Sequence, residues 1–222
     1  MTEGILVIDK PRGITSHDVV DIARRRLKTK KVGHSGTLDP LATGVLLILV
    51  GRATRLFQTF MNFNKVYEAT LRLGEATDSG DSDGHITQRF DYQGISRQQV
   101  EAALSKFTGK ISQVPPMVSA VKYKGRPLYK FARRGIDVPR QAREITVYRL
   151  ELLRFSLPDI VFRLECSRGT YVRTLGEDIA RSLSCGGHIS AIRRTNVGPF
   201  SIEESINLDE IDAGHLRVWK KD

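Results

Sequence analysis

Cysteine is scarce. Only Cys166 and Cys185 occur in 222 residues, too few for the disulfide framework of a small secreted domain, so a reducing cytoplasm is the expected setting. Long apolar runs are also lacking. The longest, Val45 to Val50, has six residues, far short of the ~18 that a spanning helix needs. Ile5–Ile8, flanked by Glu3 and Asp9, is too short for a signal-peptide core, so no membrane association is expected. Neither Gly-x-x-x-x-Gly-Lys-Ser/Thr nor Gly-x-Gly-x-x-Gly occurs, which excludes the two common nucleotide-binding loops. The two cysteines and five histidines lack zinc-ligand spacing. The acidic loop Asp78–Gly84 resembles a calcium loop only superficially. Aligned on Gly84, it has Ser79 at the first ligand position and Phe90 where the bidentate Glu belongs. No cofactor and no metal is expected.

What is abundant is positive charge. Lys and Arg number 35 against 25 Asp and Glu, a formal charge of +10, on a chain that is 40% hydrophobic and therefore able to build a core. The basic residues cluster. Arg24 to Lys31 holds six in eight positions, and Lys122 to Arg143 holds eight with a single acid, Asp137, interleaved with Tyr123, Tyr129 and Phe131. One such run alone is as well explained by a solvated face. Two runs, one carrying aromatics that can cover bases, point to a nucleic acid and most directly to single-stranded or looped RNA.

Strand-like and helix-like segments alternate without repeats or linkers, as in one compact α+β domain. Ile5–Ile8 reads as a buried strand closed by the turn Asp9–Gly13. Thr15 and Asp18 form a capping-box pattern ahead of a helix reaching about Leu27. Lys65–Leu73 alternates, with Tyr67, Ala69, Leu71 and Leu73 on one side. Ser96 and Gln99 cap a second helix, and Pro127 suits the first position of a short third. Glu144–Phe155 and Ile160–Ser167 read as paired strands, and Val172, Leu175, Ile179 and Leu183 as one face of a further helix. His188–Arg194 reads as a strand and Leu208–Asp222 as a helical or frayed end.

Two segments carry candidate chemistry. The loop Gly33–Gly44 contains His34 and Asp39. On its own an Asp-Pro step is a turn and a lone histidine is structural, but proline also restricts the directions open to the Asp39 carboxylate. In the junction Cys166–Asp178, Arg173 falls in the first helical turn away from the apolar stripe. It is free to point towards a site or to pair with Glu177 at i+4.

Together these motifs resemble the TruB family of bacterial tRNA pseudouridine-55 synthases. The matching pieces are Asp9–Ser16, the Gly33–Gly44 loop, Lys65–Ala69, Pro115–Ala120, Lys122–Tyr129, Cys166–Asp178, Arg193–Thr195 and Val197–Phe200, in order along nearly the whole chain. The resemblance implies a cofactor-free isomerase that converts uridine to pseudouridine in the T-loop of tRNA after flipping out the base. It implies a mixed, largely antiparallel central sheet with flanking helices. By position, Asp39 corresponds to the catalytic aspartate and His34 to the residue associated with base extrusion. Tyr67 and Tyr171 correspond to pocket tyrosines, Arg173 to the arginine pairing with the aspartate, and Ile192 to an apolar pocket position. The carboxylate can attack C6 or C1′ or act as a base at C2′. A catalytic domain over 1–206 followed by a short tail, 207–222, is expected, without the C-terminal RNA-binding PUA domain of longer members. The expected partner is the T-arm of tRNA, and the expected state a monomer. A guide-RNA-dependent dyskerin-like enzyme and a non-catalytic RNA-binding module are the alternatives. Leu41–Thr43 speaks against the first, and the joint presence of Asp39, Tyr67 and Arg173 against the second.

Overall fold

A computed structural model describes residues 3–219. In chain order the elements are β1 (Gly4–Lys10), α1 (Ser16–Arg26), β2 (Val32–Ser35), β3 (Thr43–Val50), α2 (Phe57–Asn62), β4 (Lys65–Leu73), β5 (Glu75–Thr77), β6 (Ile86–Arg89) and α3 (Arg97–Ser105). They continue with β7 (Gly109–Gln113), β8 (Lys122–Tyr123), β9 (Arg126–Pro127), α4 (Leu128–Ala132), β10 (Arg143–Ser156), β11 (Asp159–Cys166), α5 (Val172–Ser182), β12 (Gly187–Val197) and β13 (Phe200–Ser201). The chain divides into two compact units, residues 1–68 with 192–222 and residues 69–191. The strands β4 and β12 contribute residues to each. The fold is α+β and its sheet structure largely antiparallel, as expected. Of the described ladders, only β12 against β3 is parallel.

In the first unit β3 is the organising strand. It pairs with β1 from Gly4↔Val50 to Lys10↔Gly44, with β2 from Val32↔Val50 to Ser35↔Leu47, and with β12 at Arg193↔Thr43 and Arg194↔Gly44. β3 is also covered on both faces, which is why Val45–Val50 is uninterruptedly apolar and wholly buried. Ile5, Val7, Val45, Leu47 and Leu49 pack with Phe60, Val197 and Phe200, and Trp219 stacks edge-on against Phe60 at 5.4 Å. Thr15 caps α1 reciprocally with Asp18. Beyond residue 206 the chain forms single 3₁₀ turns at Leu208–Glu210 and Ala213–His215, then pairs Arg217 with Ile5. Single 3₁₀ turns and a bridge to β1 thus stand where a helical or frayed end was expected over Leu208–Asp222. Residues 220–222 of that expectation lie outside the described residues.

In the second unit β11, β10 and β7 are hydrogen-bonded in that order, with Gln113 opposite Arg143 at the β7 end. β10 carries two register shifts against β11, bulges that increase local twist. Gly176 lets α5 settle on the sheet. A Cβ there would lie 2.6 Å from the Ile189 side chain. Among the described residues, no helix is long and apolar enough to cross a membrane.

Candidate active site

The first unit holds Asp39, His34, Tyr67 and Ile192, and the second holds Tyr171 and Arg173. Around Asp39 the polypeptide is pinned on both sides. Ser16, buried at the start of α1, donates to the Leu38 carbonyl at 3.0 Å and accepts from the Leu38 amide at 2.8 Å. The Gly13 amide donates to the Pro40 carbonyl at 2.8 Å, and the Ala42 amide to the Asp39 carbonyl at 3.0 Å. The Asp39 side chain itself is half-buried. A half-exposed carboxylate on so restrained a backbone is accessible to a ligand without being mobile.

Two fully buried cations support the loop. Lys10 turns its ammonium back onto the Pro11, Ile14 and Pro40 carbonyls at 2.8, 2.9 and 3.5 Å. Burial pulls it down to about 8, opposed by the charge of Asp39 and reinforced by that of Arg194. Arg194 donates from Nε to Val45 at 2.7 Å and from Nη2 to Gly36 at 2.9 Å, so one guanidinium ties together both ends of the Asp39 loop. Gly44, with φ +99°, is required beside it, because a Cβ would come within 2.2 Å of the Arg194 carbonyl. Burial is also the first cause holding the His34 imidazole down at about 4, with Arg194 and His17 adding to it. His34 is thus neutral at physiological pH, and its Nδ1 is a buried atom without a hydrogen-bond partner. Tyr67 is buried on the inward side of β4, in step with Lys65, Ala69, Leu71 and Leu73. Ile192 is buried, and its carbonyl accepts from the Thr43 hydroxyl at 3.4 Å.

In the second unit Arg173 does not project from the helix into open space. It is 3% exposed. Its guanidinium donates to Ser79 at 2.9 Å and Val118 at 2.8 Å and lies 3.6 Å from the Asp81 carboxylate. Asp81 is thus one ion-pair partner of Arg173, drawn from a distant loop, where the sequence offered Glu177 one helical turn on. The acidic loop that fails as a calcium site has a carboxylate aimed at an arginine instead. Tyr171 caps α5 with extended backbone. The second basic stretch forms the β8–β9 hairpin and α4, where Tyr123 meets Phe131 edge-on at 6.0 Å and Arg133 lies over Tyr129 at 5.4 Å. In the first stretch Arg24 is tied to Asp21 and Val32, and Arg26 to the Asp209 carbonyl. Part of that run is structural.

Lys10, Ser16, Asp81, Gln113 and Arg194 escape a motif-by-motif reading for chemistry. A buried lysine before proline in an otherwise apolar strand is the one local signal that could have marked any of them.

The TruB family pseudouridylate synthase N-terminal domain matches residues 24–172, and the tRNA pseudouridylate synthase B C-terminal domain matches residues 173–222. A tRNA pseudouridine synthase B of Bordetella avium is 46% identical over 213 residues, 95% of this chain and 87% of that protein. One from Burkholderia mallei is 47% identical over 211 residues, 95% and 70%. Among solved structures, a Cbf5–Nop10–Gar1 complex gives a TM-score of 0.75 at 33% identity over 94% of this chain. An archaeal box H/ACA Nop10–Cbf5 complex gives 0.70 at 29% over 95%. This chain spans about half of either solved chain, 53% in both cases.

Proposed function

The chain belongs to the TruB family of pseudouridylate synthases, and from that premise we propose that it isomerises uridine 55, in the T-loop of tRNA, with Asp39 as the carboxylate that starts glycosidic bond cleavage. The observation that carries this reading is the bracing of Asp39, held at Leu38, Pro40 and Ala42 and backed by Lys10 and Arg194. A preorganised carboxylate suits a reaction in which N1–C1′ breaks, the uracil turns and C5 joins C1′, with no redox change and no transferred group. The uridine must leave its stack to reach Asp39, at a cost of a few kcal/mol. His34, neutral and half-buried, occupies the space vacated by the base. Tyr67 stacks on the extruded base and Ile192 lies beside it as an apolar wall, while the family resemblance assigns Tyr171 and Arg173, which belong to the second unit, to substrate binding. The enzyme acts as a cytoplasmic monomer. Its similarity to named tRNA pseudouridine synthase B proteins exceeds its similarity to the Cbf5 chains, which favours a stand-alone enzyme over a guide-RNA-dependent one. Incubating the purified chain with unmodified tRNA and mapping pseudouridine tests the reading. Modification confined to position 55 is expected, and an unmodified tRNA after many turnover times would overturn it.

Tyr67 separates two roles. Tyr67→Phe keeps the ring and removes the hydroxyl that collects the C5 proton, so single-turnover product formation should fall about 10²-fold or more. Tritium release from 5-tritiated tRNA should fall in parallel. Tyr67→Leu should in addition weaken tRNA capture by ~1–3 kcal/mol through lost stacking. Parental turnover by Tyr67→Phe would leave the ring as a stacking surface only.

The RNA face includes the β8–β9 hairpin, where Lys122, Lys124 and Arg126 are exposed. Each phosphate contact contributes about −0.7 to −0.9 to the slope of log K against log salt. Lys122→Glu with Lys124→Glu should therefore flatten the slope by about 1.5. An unchanged slope would remove this hairpin from the RNA face.

A further inference from the structure

Gln113 has no place in the site as read so far, yet it is 3% exposed at the end of β7, and both polar atoms of its side chain are engaged by the backbone of one residue. Its Nε2 donates to the Tyr171 carbonyl at 3.1 Å, and its Oε1 accepts from the Tyr171 amide at 2.8 Å. The side chain thus supplies both hydrogen bonds that a neighbouring strand would give Tyr171. It does so where they are needed, because Tyr171 is the extended residue before α5 and has no side-chain cap of its own.

Five residues beyond Gln113, the Val118 carbonyl accepts from Arg173 Nη2 at 2.8 Å. The intervening Val114-Pro115-Pro116-Met117 contains two adjacent prolines, whose fixed φ stiffens it. One short segment therefore grips the Tyr171–Arg173 junction twice, by the Gln113 amide at the backbone of Tyr171 and by the Val118 carbonyl at the guanidinium of Arg173. On the other side Arg173 is held by Ser79 and Asp81.

We propose that Gln113 is a positioning residue for pseudouridine formation, fixing through its paired hydrogen bonds to Tyr171 the backbone from which the Tyr171 ring and the Arg173 guanidinium are presented. The inference rests on the reading of Tyr171 and Arg173 as pocket residues. Gln113 touches neither base nor ribose. Its contribution is to orientation, where a displacement of about 1 Å can cost up to about 10²-fold in rate. The bonds matter more than the volume, since a side chain of equal length without an amide takes from the Tyr171 amide the acceptor at 2.8 Å and leaves the Tyr171 carbonyl without the Gln113 donor beside the Leu175 amide.

The test is single-turnover pseudouridine formation with full-length tRNA, beside the equilibrium dissociation constant for the same tRNA. Gln113→Met keeps the length and removes both bonds. It should lower the single-turnover rate about 30-fold and leave tRNA affinity within about threefold. Gln113→Asn keeps the amide on a shorter stem and adds no charge. It should lose about tenfold, and serves where the Met variant folds poorly. A core truncation of matched thermal stability, Ile160→Val, should keep the parental rate, because it touches neither bond. The decisive arm is the cycle with Arg173→Lys. If Gln113 acts through the junction, Gln113→Met should cost less than about threefold in that background, whereas a defect of folding alone would cost the full factor again. The proposal is overturned if both Gln113 variants keep the parental rate, or if the Met substitution costs the same in both backgrounds. Parental rates in both Tyr171→Leu and Arg173→Lys would overturn instead the reading of those two as pocket residues.

Discussion

Asp39→Asn should reduce single-turnover pseudouridine formation by at least about 10⁴-fold, the order seen when a nucleophile or its activating base is removed, while tRNA affinity stays within about threefold. The substitution is close to isosteric, and the loop around residue 39 is held by several bonds through its backbone. They run from Ser16 to both backbone groups of Leu38, from Gly13 to Pro40 and from Ala42 to the carbonyl of residue 39. The loop should therefore keep its form with an amide in place of the carboxylate. Affinity derives from Lys and Arg facing phosphates, and removing one negative charge from a +10 chain shifts it, if at all, towards tighter binding. The measurement is rapid-quench product formation with enzyme in excess, together with filter binding at fixed salt. A rate within tenfold of the parent would sink the assignment of Asp39. Loss of binding with loss of rate would mean that the residue maintains the RNA face rather than the chemistry.

The features legible in the sequence are those written in short-range periodicity. The Thr15 capping box, the alternation along β4 and the pairing of β10 with β11 all emerge where local pattern places them, because each depends on residues a few positions apart. Asp39 and His34 are legible only as members of a long loop pattern, since an Asp-Pro step taken singly is a turn. The supports of the site are not legible, for one physical reason. Buried cations satisfied by carbonyls leave no local trace when those carbonyls come from distant segments. Arg173 is bonded to carbonyls 94 and 55 positions away, and Arg194 to carbonyls 158 and 149 away. An arginine outside the apolar stripe of α5 thus reads as exposed although it is as buried as the stripe. For the same reason nothing local in the acidic loop Asp78–Gly84 marks Asp81 as the partner of a buried arginine. The long axis of the tail misleads in the opposite sense. Its 3₁₀ turns start at Asn207 and Asp212, whose side chains engage Glu210 and the Gly214 and His215 amides, and pairing of Arg217 with Ile5 then prevents a continuous helix.

Arg194→Met is the substitution expected to disturb both stability and chemistry. Arg194 is 1% exposed, and its guanidinium is bonded to both Gly36 and Val45, the residues that flank the segment containing Asp39. Methionine preserves much of the apolar stem but leaves two buried carbonyls without donors, at ~1–3 kcal/mol each. Removing a buried cation opposes this, because a desolvated guanidinium is itself costly and because Arg194 repels the Lys10 ammonium nearby. The carbonyl losses outweigh that relief, leaving a net destabilisation of about 3 kcal/mol. For a chain of this size it corresponds to a fall in melting temperature of roughly 6–12 °C. Arg194→Lys keeps the charge but replaces the planar fork with a point donor on a flexible stem, and should fall between. Turnover by the folded fraction should drop about 10²-fold, since a loop tied at one end no longer presents the Asp39 carboxylate in a narrow range of positions. Scanning calorimetry and single-turnover assays well below the melting transition separate the two effects. A melting temperature within 2 °C of the parent would mean that water replaces the guanidinium without loss. A normal rate in a destabilised protein would mean that the Ser16 and Gly13 contacts alone suffice to fix Asp39.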